Sequence, residues 1–274
     1  MSQIIQLLQD RDCAPHTPSG ADGACDPRTV VAQLLQLMGA TAEPAQAVPL
    51  LPVVWHRLHA GQTLHHEGAD GDAIYFVRAG SFKILRTAED GYEQVLDFAL
   101  RGDVLGFESL AHGTHPNAAV ALEESSVYSL PLADFQTLGQ RLPDLERHLH
   151  RAVSAALARR GELAEMMAAV AAEVRLARFL LQLSRRMQEC GQSPRRFHLR
   201  MSRRDIASYL GVAHETVSRS FGALARWGWL SVDNREVEIL DLDGLKHFAL
   251  STRRAVDEGP HAPAPGGGLR LCGS

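Results

Sequence analysis

SRRDIASYLGVAHETVSRSFGALAR, residues 202–226, carries two apolar periodicities separated by a single glycine. Ser202 is a favourable N-cap, and Asp205 stands at the third helical position, like the acid of a capping box. Ile206, Ala207 and Leu210 supply the inner face of the first helix. Gly211 ends it by supplying the left-handed conformation that a sharp turn needs, and Val212 fills the corner. In the second helix Val217, Phe221 and Leu224 turn inward at steps of four and three. The same steps leave Glu215, Ser218, Arg219 and Gly222 outward. The spacing predicts helices at Arg203–Leu210 and His214–Trp227.

Such a pair is a helix-turn-helix, whose second helix presents its N-terminal residues to the major groove. The outward chemistry suits bases. Arg219 can donate two bonds to guanine O6 and N7, Glu215 can accept from cytosine N4, and Ser218 can meet a thymine edge. Ser202, Arg203, His214, Thr216 and Ser220 are placed for phosphate. Glu215 is also expected to hold Arg219 in one rotamer. Read only as a solvated i,i+4 ion pair, Glu215 and Arg219 would contribute a few tenths of a kcal/mol. That reading leaves the glycine turn and the local positive charge unexplained.

Working outward, a helix is expected at about Val174–Glu189. After the pair, Leu230–Leu240 places Val232, Val237 and Ile239 around an Asp233–Asn234 turn. Three helices and a hairpin make a winged helix-turn-helix spanning 173–252. Charge divides accordingly. Residues 174–254 hold 15 Lys+Arg against 8 Asp+Glu and the rest of the chain 13 against 24, which together give the net −4. A basic module joined to an acidic one is the pattern of a polyanion binder attached to a sensor.

Upstream, residues 51–135 alternate short apolar runs with glycines, and the turn signals AGQ, EGADGD, RAGS, EDGY and RGD recur every 8–12 residues. Strands are expected at Ile74–Val77, Phe82–Leu85, Gln94–Phe98 and Ser126–Leu130. The spacing argues an antiparallel barrel or jelly roll, so the fold class is α+β. Residues 136–172 form a long helix in which Leu142, Glu146, Leu149, Val153, Ala156, Arg160, Leu163, Met167 and Val170 hold a heptad register. That narrow seam predicts a homodimer, with Glu146 and Arg160 tuning its formation; an ordinary core-facing helix is the alternative. Residues 1–50 are expected to be a mobile leader, rich in Asp, Pro, Gly and Ser over 9–27, with a short helix at Arg28–Gly39 and a linker to about Leu51. Residues 253–274 are expected to be a disordered tail.

No stretch approaches the roughly 20 apolar residues of a membrane span. The start of the chain lacks a basic segment followed by an apolar run, which points to the cytoplasm. Cys13, Cys25, Cys190 and Cys272 are far apart, with no C-x-x-C, so neither a zinc site nor a disulfide framework is expected. Cys190 lies near Arg185, Arg186, Arg195 and Arg196, and positive charge of that kind would lower a thiol pKa, which makes it a candidate redox thiol.

The order of barrel, long helix and winged helix-turn-helix, with DIASYLGVAHETVSRSFGAL, resembles the Crp/Fnr superfamily of bacterial regulators from about Val53 to Ala249. GDAIYFVRAGSFKI and GDVLGFESLAHGTHPNAAVALEESSVYSLP also match, and the second of these with HETVSR is most similar to the Fnr branch. The resemblance implies a homodimeric transcription regulator, of activator type, with double-stranded DNA and RNA polymerase as partners. It implies that Glu215, Ser218 and Arg219 read TTGAT half-sites in an inverted repeat. Ala213 and His214 depart from the Fnr pattern, which leaves the outermost base open.

Two cofactors of the family are not expected. The oxygen-sensing Fnr type holds an iron–sulfur cluster on a compact N-terminal cysteine group and one barrel cysteine. Here the leader has only Cys13 and Cys25, and the barrel position is Tyr128, so four thiolates cannot be assembled. Relatives that bind cyclic AMP place a Glu on the ribose and an Arg-Ser pair on the phosphate. Glu108 occupies the Glu position, but His115, Pro116, Asn117 and Ala118 stand where Arg is required, and a cyclic phosphate would be poorly compensated. Glu108 is then structural and the effector stays open, a cyclic-nucleotide- or redox-responsive regulator being the alternative. A cupin-like metal enzyme built on His56, His59, His65, His66 and Glu67 is the distant one. Adjacent His65 and His66 would point to opposite faces of a strand and could not ligate together.

Overall fold

The computed structural model describes residues 33–34, 37, 53–133, 143–169 and 171–250. The expected leader, most of the Arg28–Gly39 helix, the linker, the tail, Leu142, Val170, Cys13, Cys25 and Cys272 lie outside the described residues. Eight strands come first: β1 (Val54–Leu58), β2 (Thr63–His65), β3 (Ala73–Ala79), β4 (Phe82–Thr87), β5 (Glu93–Ala99), β6 (Val104–Leu105), β7 (Ala118–Ala121) and β8 (Ser125–Pro131). A one-turn helix, α1 (Ser109–His112), precedes β7. The strands form two antiparallel four-stranded sheets, ordered β1-β8-β3-β6 and β2-β7-β4-β5. This is the expected jelly roll.

The four expected strands lie inside β3, β4, β5 and β8, while β1, β2, β6 and β7 were not legible. Two- and three-residue strands such as β6 and β2 carry no periodicity, and the Ala-rich β7 has poor strand propensity. Strand β8 is buried on both faces. Val127 points into the barrel with Phe82, Ile84 and Leu105. Tyr128 and Leu130 point outward to Ile74, Phe76, Leu34 and Leu149. Alternation therefore disappears from its sequence.

The long helix is α2 (Pro143–Met167), followed by α3 (Ala172–Glu189). The expected heptad seam is corrected at its apolar positions, whereas its members Glu146 and Arg160 stay on the exposed side of the helix. Leu149 and Val153 pack against the barrel's outer sheet, Ala156 is buried and Leu163 joins the core of the following domain. Met167 presses on the Gly211 turn, where its Cε lies 2.6 Å from the position of an added Cβ. The alternative, an ordinary core-facing helix, accounts for Leu149, Val153, Ala156 and Leu163. The free side of α2 runs instead through Glu146, His150, Leu157, Arg160 and Ala164. Leu157 is 68% exposed, and Arg160 reaches back to Glu108 at 3.0 Å.

The remaining elements are β9 (Arg196–His198), α4 (Arg203–Leu210), α5 (His214–Arg226), β10 (Leu230–Asp233), β11 (Glu236–Ile239) and α6 (Leu242–Ala249). The hairpin is one part of a three-stranded wing, because β11 also pairs with β9. Helix α6 was not anticipated. Its N-cap Asp241 accepts from Gly244, and Leu245 is buried in the domain core.

Inside the barrel, His65 and His115 stack with ring centroids 4.0 Å apart and planes 18° apart. His65 is 5% and His115 2% exposed. His65 Nδ1 donates to the Asn117 carbonyl at 3.1 Å, so Nε2 carries the lone pair. That Nε2 and both His115 nitrogens find no partner among the described residues. Burial, followed by the neighbouring His115, pushes the His65 pKa down to about 4, and burial lowers His115 too. A folded-state pKa below the unfolded value means that acid binds the unfolded chain more readily. Stability is therefore intact above pH 6.5 and declines as pH falls toward 4, by roughly 3 kcal/mol for His65 alone. Urea midpoints measured from pH 7.5 to 4 should fall through this window, and His65→Leu should flatten the decline. An unchanged slope in that variant would rule out His65 as its cause.

Candidate nucleic-acid interface

The helix pair forms as its local chemistry requires. Ser202 Oγ accepts from the Asp205 N–H at 3.1 Å, and Asp205 Oδ2 accepts from the Ser202 N–H at 2.8 Å. Burial alone would raise the Asp205 carboxyl, but the bonds from Ser202 and Lys83 hold it below its ordinary value. Gly211 adopts φ 62°, a left-handed conformation that a β-carbon disfavours. Arg175 secures the same corner, donating to the carbonyls of Ala169 at 2.8 Å and Leu210 at 3.0 Å.

Val217, Phe221 and Leu224 of α5 are buried with Ile206 and Leu210 of α4 and Leu176 and Leu180 of α3. That burial turns Glu215, Ser218 and Arg219 to solvent, together with His214. The expected Glu215–Arg219 pairing does not form among the described residues. Arg219 donates instead to Thr216 Oγ1 at 3.3 Å, and Ser218 Oγ donates to the His214 carbonyl at 3.4 Å. Arg219 keeps spare N–H donors for a ligand, while Ser218, its one donor spent on the helix backbone, keeps acceptor lone pairs.

Two expected phosphate contacts are redirected. Ser220 is fully buried, 0% exposed, with its hydroxyl 3.4 Å from Glu173, so it packs α5 on α3 and cannot reach a phosphate. The helical step from Arg219 to Ser220 turns the side chain about 100° inward, which follows from α-helix geometry. Arg203 places its guanidinium carbon 3.5 Å above the Phe221 ring and donates to the Asn234 carbonyl at 2.9 Å. Burial, then the charge of Arg235, lowers its pKa. It holds the wing turn on α5 through a cation–π contact. Ser202 is half-buried and already committed to its cap, and Thr216 is half-buried beside Arg219. Two cations that sequence reasoning missed are Arg204, exposed on α4, and Arg235, beside the wing turn. With His214 and Asn234 they line a cleft of about 310 Å³ between the wing and the start of α5. Asn234 adopts φ 52°, and the Asp233–Asn234 turn was the available signal.

Cys190 behaves unlike the expected activated thiol. Its Sγ donates to the Arg101 carbonyl at 3.5 Å. Burial raises its pKa, and Asp103 and Glu189 add to that against the opposing charges of Arg186 and Arg101. The nearby arginines are spent elsewhere: Arg185 on Glu162 at 2.6 Å, Arg186 on Asp103, and Arg196 on Glu238 at 2.9 Å. Cys190→Ser should therefore bind DNA identically under peroxide and under reductant, as should the parent protein. A peroxide-sensitive affinity that the substitution abolishes would restore a redox role.

Among the described residues no three or more His, Cys, Asp or Glu side chains are grouped to hold a metal ion, and His65 is buried where His66 is exposed. Glu108 is engaged by Arg160, while Asn117 is 4% and Ala118 9% exposed at the hinge. Tyr128 donates its hydroxyl to Gln33 Oε1 at 2.6 Å. No described helix is long and apolar enough to cross a membrane.

Comparison with known proteins agrees with this geometry. Residues 174–248 match the Crp-like helix-turn-helix domain and residues 55–141 the cyclic nucleotide-binding domain. The chain is 32% identical over 255 residues to the fumarate and nitrate reduction regulatory protein of Escherichia coli, covering 93% of this chain and 98% of that protein. It is 38% identical over 192 residues to the transcriptional regulatory protein btr of Bordetella pertussis, covering 70% and 79%. Among solved structures, FixK2 from Bradyrhizobium japonicum superposes with a TM-score of 0.66 at 26% identity, over 74% of this chain and 100% of that one. A CRP/FNR-family transcriptional regulator from Thermus thermophilus superposes with a TM-score of 0.59 at 25% identity, over 73% of this chain and 100% of that one.

Proposed function

The chain belongs to the Crp/Fnr family of DNA-binding transcription regulators, and on that premise we propose that it acts as a cytoplasmic homodimer on an inverted repeat of TTGAT-like half-sites. In this reading Glu215, Ser218 and Arg219 of each α5 meet base edges. His214, Thr216, Arg204 and Arg235 serve the phosphates, and RNA polymerase is the protein partner. The observation that carries the reading is the split of α5: Val217, Phe221 and Leu224 are buried, while the three base-reading side chains stand exposed at its N-terminal half. The two recognition helices of the dimer would sit about 34–36 Å apart, one turn of DNA.

The dimer contact proposed is the free side of α2, centred on Leu157. Leu157, 68% exposed on this long helix, offers apolar surface that a second copy would bury at a helix–helix contact. Arg160 lies on the same side, so its bond to Glu108 connects the proposed seam to the barrel hinge.

Neither family cofactor is part of the proposal. The hinge offers Asn117 and Ala118 to a cyclic phosphate where a guanidinium is needed, and Glu108 is turned to Arg160. The barrel position for a cluster thiolate is a tyrosine occupied with Gln33. Control then comes from another signal or from abundance.

Selection of bound DNA from a random pool should return a palindrome containing TTGAT-like half-sites. Arg219→Ala should cost roughly 1–3 kcal/mol and relax the guanine preference. Full sequence selectivity in that variant would defeat the docking. Leu157→Glu should shift the protein to monomer in sedimentation velocity while leaving its circular dichroism intact. A dimer that survives the substitution would place the interface elsewhere.

A further inference from the structure

The barrel's β5 lies at the edge of its sheet, where unpaired N–H and C=O groups need partners. Here α4 supplies them. Ser208 Oγ accepts from the Val95 N–H at 2.9 Å and donates to the Glu93 carbonyl at 2.9 Å. A hydroxyl can do both at once, which makes serine a substitute for the missing neighbouring strand. Gln94 Nε2 completes the join by donating to the Ser208 carbonyl at 2.6 Å. On the next strand, Lys83 Nζ stands 3.1 Å from Asp205, with the two side chains 19% and 14% exposed. Partial burial makes such a pair count for more than a solvated one, because removing either partner strands the other. Asp205 is also the capping acid of α4, so one carboxylate fixes both the start of the helix and its seat on the barrel.

We propose that this edge is a positioning dock: Lys83, Val95 and Glu93 hold α4 through Asp205 and Ser208, and thereby set where the barrel places the recognition helix. The proposal rests on the homodimeric reading above. Because α4 leads to α5 through the short Gly211 turn, and both helices share one buried core, a shift of α4 is transmitted to Glu215, Ser218 and Arg219. None of the docking contacts covers those three side chains, which remain exposed. The dock therefore positions the reading face and does not mask it. Its functional consequence is half-site spacing. Barrel and α2 carry the dimer, α5 carries the reading residues, and the dock fixes the offset between them.

The test uses the full-length protein as wild type, Ser208→Ala, Lys83→Met and Lys83→Arg. Affinity is measured for inverted repeats of the selected sequence at the preferred spacing and with one base pair added or removed. Ser208→Ala and Lys83→Met should lose affinity at the preferred spacing several-fold more than at the altered ones, flattening spacing discrimination, while the base preference within each half-site is kept. Lys83→Arg should retain the wild-type profile. Unchanged discrimination in both disrupted variants overturns the dock, and tighter binding overturns it in favour of an inhibitory latch. Amide exchange at Val95, followed without DNA, separates this proposal from the functional reading. Protection in the wild type that is lost in Ser208→Ala supports the dock even if no inverted repeat is bound. Equal exchange in the two proteins overturns it by itself.

Discussion

The burial of one face of α5 is the constraint on which everything else depends. Val217, Phe221 and Leu224 must leave water, and they do so against α4 and α3 in a core that continues into Val95, Phe98 and Leu100 of the barrel. Each fully buried side chain of this size contributes on the order of 1.5–3 kcal/mol. That preference decides which residues are left for a ligand. Glu215, Ser218 and Arg219 face outward because their helical neighbours face inward. The continuity of the core also means that the reading helix is not an independent appendage. Phe98, Phe179 and Tyr209 meet with ring centroids 5.3–6.0 Å apart where barrel, α3 and α4 converge.

Charge compensation reinforces the same convergence. Asp103, in the turn after β5, takes Arg159 of α2 at 3.3 Å and also Arg186 of α3. These groups are mostly buried, so they cannot be separated cheaply. They tie the proposed dimer helix, the barrel and the DNA-binding module at one point. The arginines whose positive charge suggested an activated thiol are therefore consumed by structure. Cys190 is left a desolvated sulfhydryl whose pKa rises.

The helix-turn-helix was legible because its signals are local. Ser202 with Asp205, Gly211, and the inward steps through Val217 and Leu224 each act within a few residues. The barrel was legible as a class from its glycine spacing, though short strands such as β6 left no periodic trace. Tertiary context defeated two expectations. The seam through Leu149, Val153 and Leu163 has coiled-coil spacing, but the barrel covers the first two and the core of the following domain takes the third. Heptad spacing alone does not say whether a helix meets a second copy or its own domain. Ser220 was placed for phosphate by residue type, whereas its position one residue beyond Arg219 turns it into the core. Arg203 was assigned by charge, and its stacking on Phe221 depends on the wing folding back. The dock of Ser208 on β5 pairs residues more than a hundred positions apart, and no local pattern announces it.

The central claim is that α5 reads bases directly through Arg219, and a double-mutant cycle across the protein–DNA boundary tests it most directly. Affinity is measured for wild type and Arg219→Ala on the selected site and on the same site with the half-site guanine replaced by 7-deazaguanine, which lacks the N7 acceptor. The account predicts that wild type loses affinity on the modified DNA, that Arg219→Ala does not, and that the two changes are strongly non-additive. Additive losses would contradict it, because they would mean that Arg219 and the guanine act without touching.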